Sequence, residues 1–391
     1  MTQNCRIKAL LFLVFLSFNR LQIRRILAMY YPDLKWFLTL ANLLGVHPEK
    51  KGSTVQMLLY TTILCSCLSI PGLTAVMLRD MDQMAITEVL GCLSNFTTFI
   101  HALMKLSTLF FRRKQVLDIL QLTNTHFWVV DRNSEFINST LKRTSRLRLF
   151  YVISLYLFAL SSVVKPHVNG GMTFKSYQPQ WIPRYVLLPF EDMISLAINS
   201  VFCCFDVLMM TLLTLAQVQF RMLNDKIDQI YNLNRPEKIR KNMRECINHY
   251  NFLIDFTSRL KRAFSFTWLL FVGNVSISMC ICMYVISTDP PLHVVIEAFL
   301  HLVAGLNMIY ICYSGPAQGL MDEANCVSRS IYFSAWYYFP KDSKDVLTFL
   351  IGTQKKYEIS AGGIVRIDME MFMASVKTTV SYCMFLRTIS S

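Results

Sequence analysis

The sequence is poor in charge. Asp, Glu, Lys and Arg make up 16% of its 391 residues, whereas soluble globular chains carry about a quarter. That deficit argues against an ordinary soluble protein. With 13 Gly and 12 Pro there is no low-complexity or collagen-like stretch, and no repeat period stands out. Disordered and solenoid architectures are therefore set aside. Acidic residues are the scarcer sign, 25 against 39 basic ones, leaving a net charge of +14. In a soluble protein that excess would point to nucleic acid. In a chain that is 53% hydrophobic it marks the cytoplasmic loops of a membrane protein, and no nucleic-acid partner is expected. Catalytic and cofactor signatures are missing too: no Gly-x-x-x-x-Gly-Lys, Gly-x-Gly-x-x-Gly, His-Glu-x-x-His or Cys-x-x-Cys occurs. Most of the 12 cysteines fall in apolar runs, where cysteine behaves as a small apolar side chain. Neither an enzyme, a cofactor nor a metal site is expected.

What the chain has instead is long uncharged runs. A hydrocarbon core of about 30 Å needs roughly 20 apolar residues in helical form, because lipid offers no partner for backbone N–H and C=O groups. Residues 55–78 and 263–288 carry no charge, and 193–216 carry only Asp206. Residues 84–111 (with Glu88, His101 and Lys105), 149–164 and 291–315 (with Glu297) are shorter or interrupted but have aromatic flanks. Residues 368–386, with Lys377, form the weakest run and escape a strict hydropathy window. The pattern predicts an all-α polytopic membrane protein with seven transmembrane helices.

Orientation follows from the basic residues. Of the 39 Lys and Arg, 32 lie in segments 1–54, 110–148, 217–263 and 315–367, against five in the alternate loops: Arg79, Lys165, Lys175, Arg184 and Arg387. The N-terminus is expected in the cytoplasm and the C-terminus outside, the reverse of a G-protein-coupled receptor. The expected organisation is a cytoplasmic N-terminal segment (1–54), four transmembrane helices with loops (55–216), a cytoplasmic helical region (217–262), two further helices (263–315), a cytoplasmic connection (316–367), and a last helix with a short extracellular tail (368–391). Arg6 and Lys8 followed by apolar 9–18 resemble a secretory signal, but Asn19-Arg20 stands where a cleavage site is needed. Retention of 1–28, and a physiological start at Met29, both stay open.

Within 217–262, Ile239, Met243, Ile247, Tyr250 and Ile254 recur at helical spacing, and Pro236 should interrupt the helix, so a helical hairpin extends below the membrane. The stretch 165–184, with Gly170-Gly171, Pro179, Trp181 and Pro183, has the composition of a structured lid. Ionisable residues inside spans are functional candidates. Glu88 and Lys105 sit near span ends and are expected to snorkel. Asp206 and Glu297 lie deeper, in a watery cavity or a helix contact. Lys377 shares its run with Ser375, Thr378, Thr379, Ser381 and Tyr382, so one helical face could line water while Met373, Val376, Val380 and Phe385 pack on the other. That is a pore helix; a close-packed helix whose hydroxyls bond to its own carbonyls fits equally.

The stretch Ser375-Val376-Lys377-Thr378-Thr379-Val380-Ser381-Tyr382-Cys383-Met384-Phe385-Leu386 resembles the last helix of insect odorant receptors. Leu43-Leu44-Gly45-Val46-His47-Pro48 before the first span, and Gly352-Thr353 to Gly362-Gly363 before the last, support the likeness. The resemblance implies an odorant-gated, non-selective cation channel in which this chain, lacking the coreceptor's long insertion after the fourth span, is an odorant-tuning subunit. It implies assembly with the common coreceptor into a heterotetramer in the plasma membrane of an olfactory neuron dendrite, in contact with lipid, with the last helices lining one pore. Lys377, Ser381 and Tyr382 then belong to the pore and Phe385 and Ile389 to its outer constriction. The family places its ligand, a small volatile odorant, between helices in the outer half of the membrane. There the chain offers Phe96, Phe158, Ser162, Ile198, Phe202, Met279 and Met283, aromatic and flexible side chains suited to an apolar pocket. Gustatory-type receptors are the related alternative. A transporter or enzyme using His101, His301, Asp206 and Glu297 is the alternative from another class.

Overall fold

The computed structural model describes residues 34–50, 53–77, 86–130, 134–174, 176–177, 181–231, 236–288, 290–338 and 343–390. The expectations for 1–28, and for the side chains of Glu88 and Ile389, lie outside the described residues. The helices are α1 (Lys35–Leu43), α2 (Thr54–Met77), α3 (Ile86–Phe111), α4 (Arg113–Thr125), α5 (Glu135–Asn169), α6 (Arg184–Ile230), α7 (Pro236–Ser287), α8 (Leu292–Asn307), α9 (Gly315–Phe333), α10 (Ser343–Thr353) and α11 (Met369–Ser390). A π-helical turn, Met308–Ser314, joins α8 to α9 without a break in the axis.

Six of these rods, α2, α3, α5, α6, α7 and the α8–α9 unit, are long and apolar enough to cross a membrane. The 22-residue α11 is long enough as well but too polar for a hydropathy window, for the reason its Lys377 and hydroxyls give. The chain is an all-α polytopic membrane protein. Apolar side chains such as Leu58, Leu68, Phe150, Leu157, Phe266 and Phe299 are exposed around the bundle, the surface lipid would cover.

The central rod is α6. Every residue from Val201 to Ala216 is buried, so one of the most apolar spans is surrounded by protein on all sides. At 47 residues α6 is roughly 70 Å long and the 52-residue α7 longer still, both far beyond a bilayer core. Their excess length, with α4, α9 and α10, forms a helical extension at one end of the bundle. Pro236 stands at the first position of α7, where a missing amide costs nothing, so it starts that helix instead of interrupting one. At the other end α7 turns into α8 through Pro290 and Pro291; this is called the hairpin end below.

Two short elements anchor the ends of α2 and α11. Gly45 has φ +74°, and a Cβ there would collide with the Gln56 carbonyl and the Tyr60 amide, so glycine lets α1 turn tightly onto α2. Before α11, strands β1 (Ser360–Ala361) and β2 (Val365–Arg366) pair antiparallel around Gly362-Gly363, both at positive φ. The Gly362 amide donates to the Ser265 carbonyl at 3.1 Å and to Ser265 Oγ at 2.7 Å, tying the hairpin to α7. Asp368 caps α11 by accepting from the Met371 amide at 2.8 Å.

Candidate functional site

A cavity of about 700 Å³ opens among α3, α5, α6, α7 and α8 at the hairpin end. Its walls include Thr98, Phe99, Phe158, Ile198, Phe202 and Ile281, mixed with Asn95, Ser162, Asn199 and His301. The loop after α5 closes one side: Gly170 to Phe174 and Ser176 line the cavity. That loop is pinned by the Tyr177 amide donating to the Leu73 carbonyl at 3.2 Å, by Thr173 Oγ1 donating to Asp192 Oδ1 at 2.8 Å, and by Phe174 set edge-on to Phe99 at 5.0 Å. Towards the bundle centre a smaller annex of about 40 Å³ continues, sharing Thr98, Phe158, Asn199, Phe202, Cys282 and His301 with the main cavity.

The polar side chains around this space are mostly matched to one another. Lys165 Nζ lies 2.5 Å from Glu297 Oε2, and Ser162 Oγ donates towards Glu297 Oε1 at 3.5 Å. His301 Nε2 is 3.0 Å from Ser278 Oγ, and its ring stacks on Phe158 with centroids 4.6 Å apart. The arrangement offers a predominantly apolar volume of small-molecule size with a few directed polar groups, the usual constitution of a binding pocket.

Of the side chains expected at the ligand, Phe158, Ser162, Ile198 and Phe202 line the main cavity, and Phe202 and Met279 line the annex. Phe96 and Met283 line neither. The reason is helical phase: each lies one residue, about 100° of rotation, from a lining neighbour, Asn95 and Cys282 respectively. Sequence reasoning passed over Asn199, Thr98 and Asn274, although a lone amide inside an apolar run was the available signal.

Lys105 corrects its expectation outright. It does not snorkel; its side chain is wholly buried, with Nζ 2.6 Å from Asp206 Oδ1. Asp206 also accepts from Tyr151 at 2.6 Å and from Tyr313, in the π turn, so both its oxygens are occupied. The ammonium sits 4.8 Å from the Phe202 ring centroid and 3.5 Å from Met308 Sδ. Asp206 is thus a helix contact binding α3, α5, α6 and the π turn, while Glu297 faces the cavity. Of the four residues of the transporter or enzyme alternative, His101 and His301 line the annex and His301 and Glu297 the main cavity, while Asp206 lines neither.

In α11, Met371, Ser375, Thr379 and Cys383 form the buried stripe, and Thr379 Oγ1 donates back to the Ser375 carbonyl at 2.8 Å. Lys377, Thr378, Ser381, Tyr382 and Phe385 are exposed, and so are Met373 and Val380. The division of faces read from the sequence is therefore partly inverted: two hydroxyls pack inward, that of Thr379 through back-bonding, and three apolar side chains expected to pack do not.

These features define the class: a polytopic helical membrane protein with a small-molecule cavity among its spans. The family model described as 7tm Odorant receptor matches residues 85–380. The chain belongs to that family of transmembrane odorant receptors, which is not one of enzymes. Odorant receptor 83a of Drosophila melanogaster is 21% identical over 148 residues, 36% of this chain, and the match spans about a third of that relative's length (32%). The insect olfactory receptor OR5 from Machilis hrabei, solved in complex with eugenol, superimposes with a TM-score of 0.74 at 11% identity, covering 91% of this chain and 98% of that one. A second structure of that receptor gives 0.73 at 10% identity, covering 90% and 97%. Those structures share the fold.

Proposed function

We propose that this chain is the odorant-recognising subunit of an odorant-gated, non-selective cation channel in the plasma membrane. It joins an insect coreceptor in a heterotetramer, and the last helix of each subunit contributes to a common pore. The observation that carries this reading is the cavity of about 700 Å³ at the hairpin end, which fits a small volatile ligand. The charge split of 32 basic residues against five favours the hairpin end outside the cell and the helical extension inside. Below the bilayer the hydrophobic effect operates, so the extension is suited to hold subunits together while the spans move.

Gating requires that the ligand bind one state better than another. The packing supplies a route. Phe202 and Met308 wall the annex and also touch the Lys105 ammonium, which holds Asp206, and Asp206 holds Tyr313 of the π turn. From that turn Tyr310 packs on Phe372 of α11, with centroids 5.5 Å apart. The exposed face of α11, with Lys377, Ser381, Tyr382 and Phe385, has no cover among the described residues and suits a pore lining; Ile389 follows one turn beyond Phe385.

The test is whole-cell current during a volatile-odorant panel, with G-protein signalling blocked, in cells expressing this chain alone or with the coreceptor. A fast cation current only in co-expressing cells is expected. Odorant responses that vanish with G-protein block, or substrate flux without gated current, overturn the reading.

A further inference from the structure

Two buried polar atoms at the annex have no hydrogen-bond partner among the described residues: Asn199 Oδ1 and His101 Nε2. Asn199 is 4% and His101 3% exposed, and both residues line the annex, from α6 and α3 respectively. The orientation of the amide follows from its other half, because Asn199 Nδ2 donates to the Ser195 carbonyl at 2.8 Å. Oδ1 is therefore the free atom, and it can only accept. Buried polar atoms without partners are costly and uncommon, and two of them on the walls of one space ask for a matching group.

Two of the other polar side chains there are already engaged, while the half-buried Asn274 also lines the annex. Thr98 Oγ1 donates to the Ser94 carbonyl at 2.8 Å, and Ser278 is paired with His301. The charges are engaged as well: Lys105 lies 2.6 Å from Asp206 and Lys165 lies 2.5 Å from Glu297. A charged ligand thus finds no free counter-charge in these pairs, while a neutral hydrogen-bond donor finds an acceptor. The annex, about 40 Å³, exceeds the 10–15 Å³ or so that one water-sized group needs. Leu155, Val275, Met279 and Ala304 make the rest of it apolar.

We infer that the receptor selects neutral hydroxyl-bearing ligands, alcohols or phenols, whose oxygen enters the annex between Asn199 Oδ1 and His101 Nε2 while the apolar body fills the main cavity. A hydroxyl both donates and accepts, so it satisfies Asn199 and can serve either tautomer of His101. An ether of the same shape has no donor and leaves Asn199 Oδ1 buried and unmatched, and a hydrocarbon leaves both atoms so. This inference rests on the cavity being the odorant site.

The experiment compares n-octanol and para-cresol with their methyl ethers, reading half-maximal concentrations for current in cells carrying the chain and its coreceptor. Each alcohol is expected to be about tenfold or more stronger than its ether, the worth of one well-made buried hydrogen bond. In Asn199→Leu the preference collapses while ether responses persist, and in Asn199→Asp, which keeps an acceptor, the alcohols retain an advantage. Equal potency of alcohols and ethers in the wild type overturns the inference. Ile198→Trp separates the two levels, since it fills the main cavity. If alcohol and ether are equally potent in the wild type and Ile198→Trp weakens both, the cavity reading stands and the hydroxyl selection falls. If it changes neither response, the cavity reading itself falls.

Discussion

Lys105 and Asp206 meet at 2.6 Å with neither side chain exposed, and they join helices whose sequence positions are a hundred residues apart. Two charges enclosed this deeply are tolerable only as a pair with further hydrogen bonds, here from Tyr151 and Tyr313. Lys105→Met or Asp206→Asn alone should destabilise the protein by about 3–5 kcal/mol and reduce surface delivery, because each strands a buried group. The double replacement Lys105→Met/Asp206→Asn should cost less than the sum of the two single changes. Thermal unfolding of the detergent-purified chain checks this; strictly additive losses would refute the coupling.

The cavity predicts a contrast between two neighbouring helices. Ile198 lines it and Met283 does not. Ile198→Trp should raise the half-maximal odorant concentration by about an order of magnitude or more with surface delivery intact, since it occupies space the ligand needs. Met283→Trp should leave potency within about twofold, because that side chain points elsewhere on its helix. Dose–response curves on cells matched for surface protein decide between them.

Phe385 is 59% exposed in the isolated chain, on the face of α11 that the proposal turns towards the pore. Phe385→Ala should change conductance or the open fraction while surface expression stays normal. Lys377→Glu, on the same face, should shift cation permeability or rectification, because a changed charge near a narrow path acts directly on permeating ions. Unaltered single-channel currents in both variants would remove this helix from the pore.

His47 offers a pH test outside the spans. Burial, with the Lys50 ammonium nearby, lowers its pKa from 6.5 to about 4. Its Nδ1 accepts from the Glu49 amide at 3.3 Å, and its own amide donates to Gln56 Oε1 at 3.2 Å. The folded state prefers the neutral ring, so this contribution to stability is complete above about 6.5 and is lost as the pH falls from 6.5 towards 4. The wild-type unfolding temperature should drop across that window, and His47→Gln should flatten the drop. An identical pH profile in the variant would show that other groups set it.

Long uncharged runs were readable because every residue of a lipid-spanning helix reports on the same solvent; 263–288 and 193–216 fall inside α7 and α6. The partner of Lys105 was not readable. Asp206 is distant in sequence, and nothing local distinguishes a lysine that reaches the interface from one that finds a carboxylate. The errors at Phe96 and Met283 are rotational: among uniformly apolar neighbours no contrast reveals which side chain faces the gap. In α11 the hydroxyls mislead because Ser375 and Thr379 are buried, Thr379 by bonding to the Ser375 carbonyl of its own helix, which composition does not register. His101 stood out in its span and Asn199 could have been marked as a polar interruption of an apolar run, but their lack of partners exists only in three dimensions.

The enclosure of α6 bears on how the protein is made. A helix surrounded by protein from Val201 to Ala216 has no need of lipid-soluble side chains in the finished molecule, yet it is among the most apolar of the spans. Its hydrophobicity serves synthesis: the segment must leave the translocation channel sideways before α7, α8 and α9, which later enclose it, have been translated. At that moment Asp206 would be a lone carboxylate in hydrocarbon, a burden of about 3 kcal/mol. Chain order relieves it, because Lys105 on α3 and Tyr151 on α5 are already inserted when α6 emerges, and only Tyr313 arrives afterwards. The same ion pair that fixes the mature bundle would then act first as the capture point that draws the nascent central helix into place.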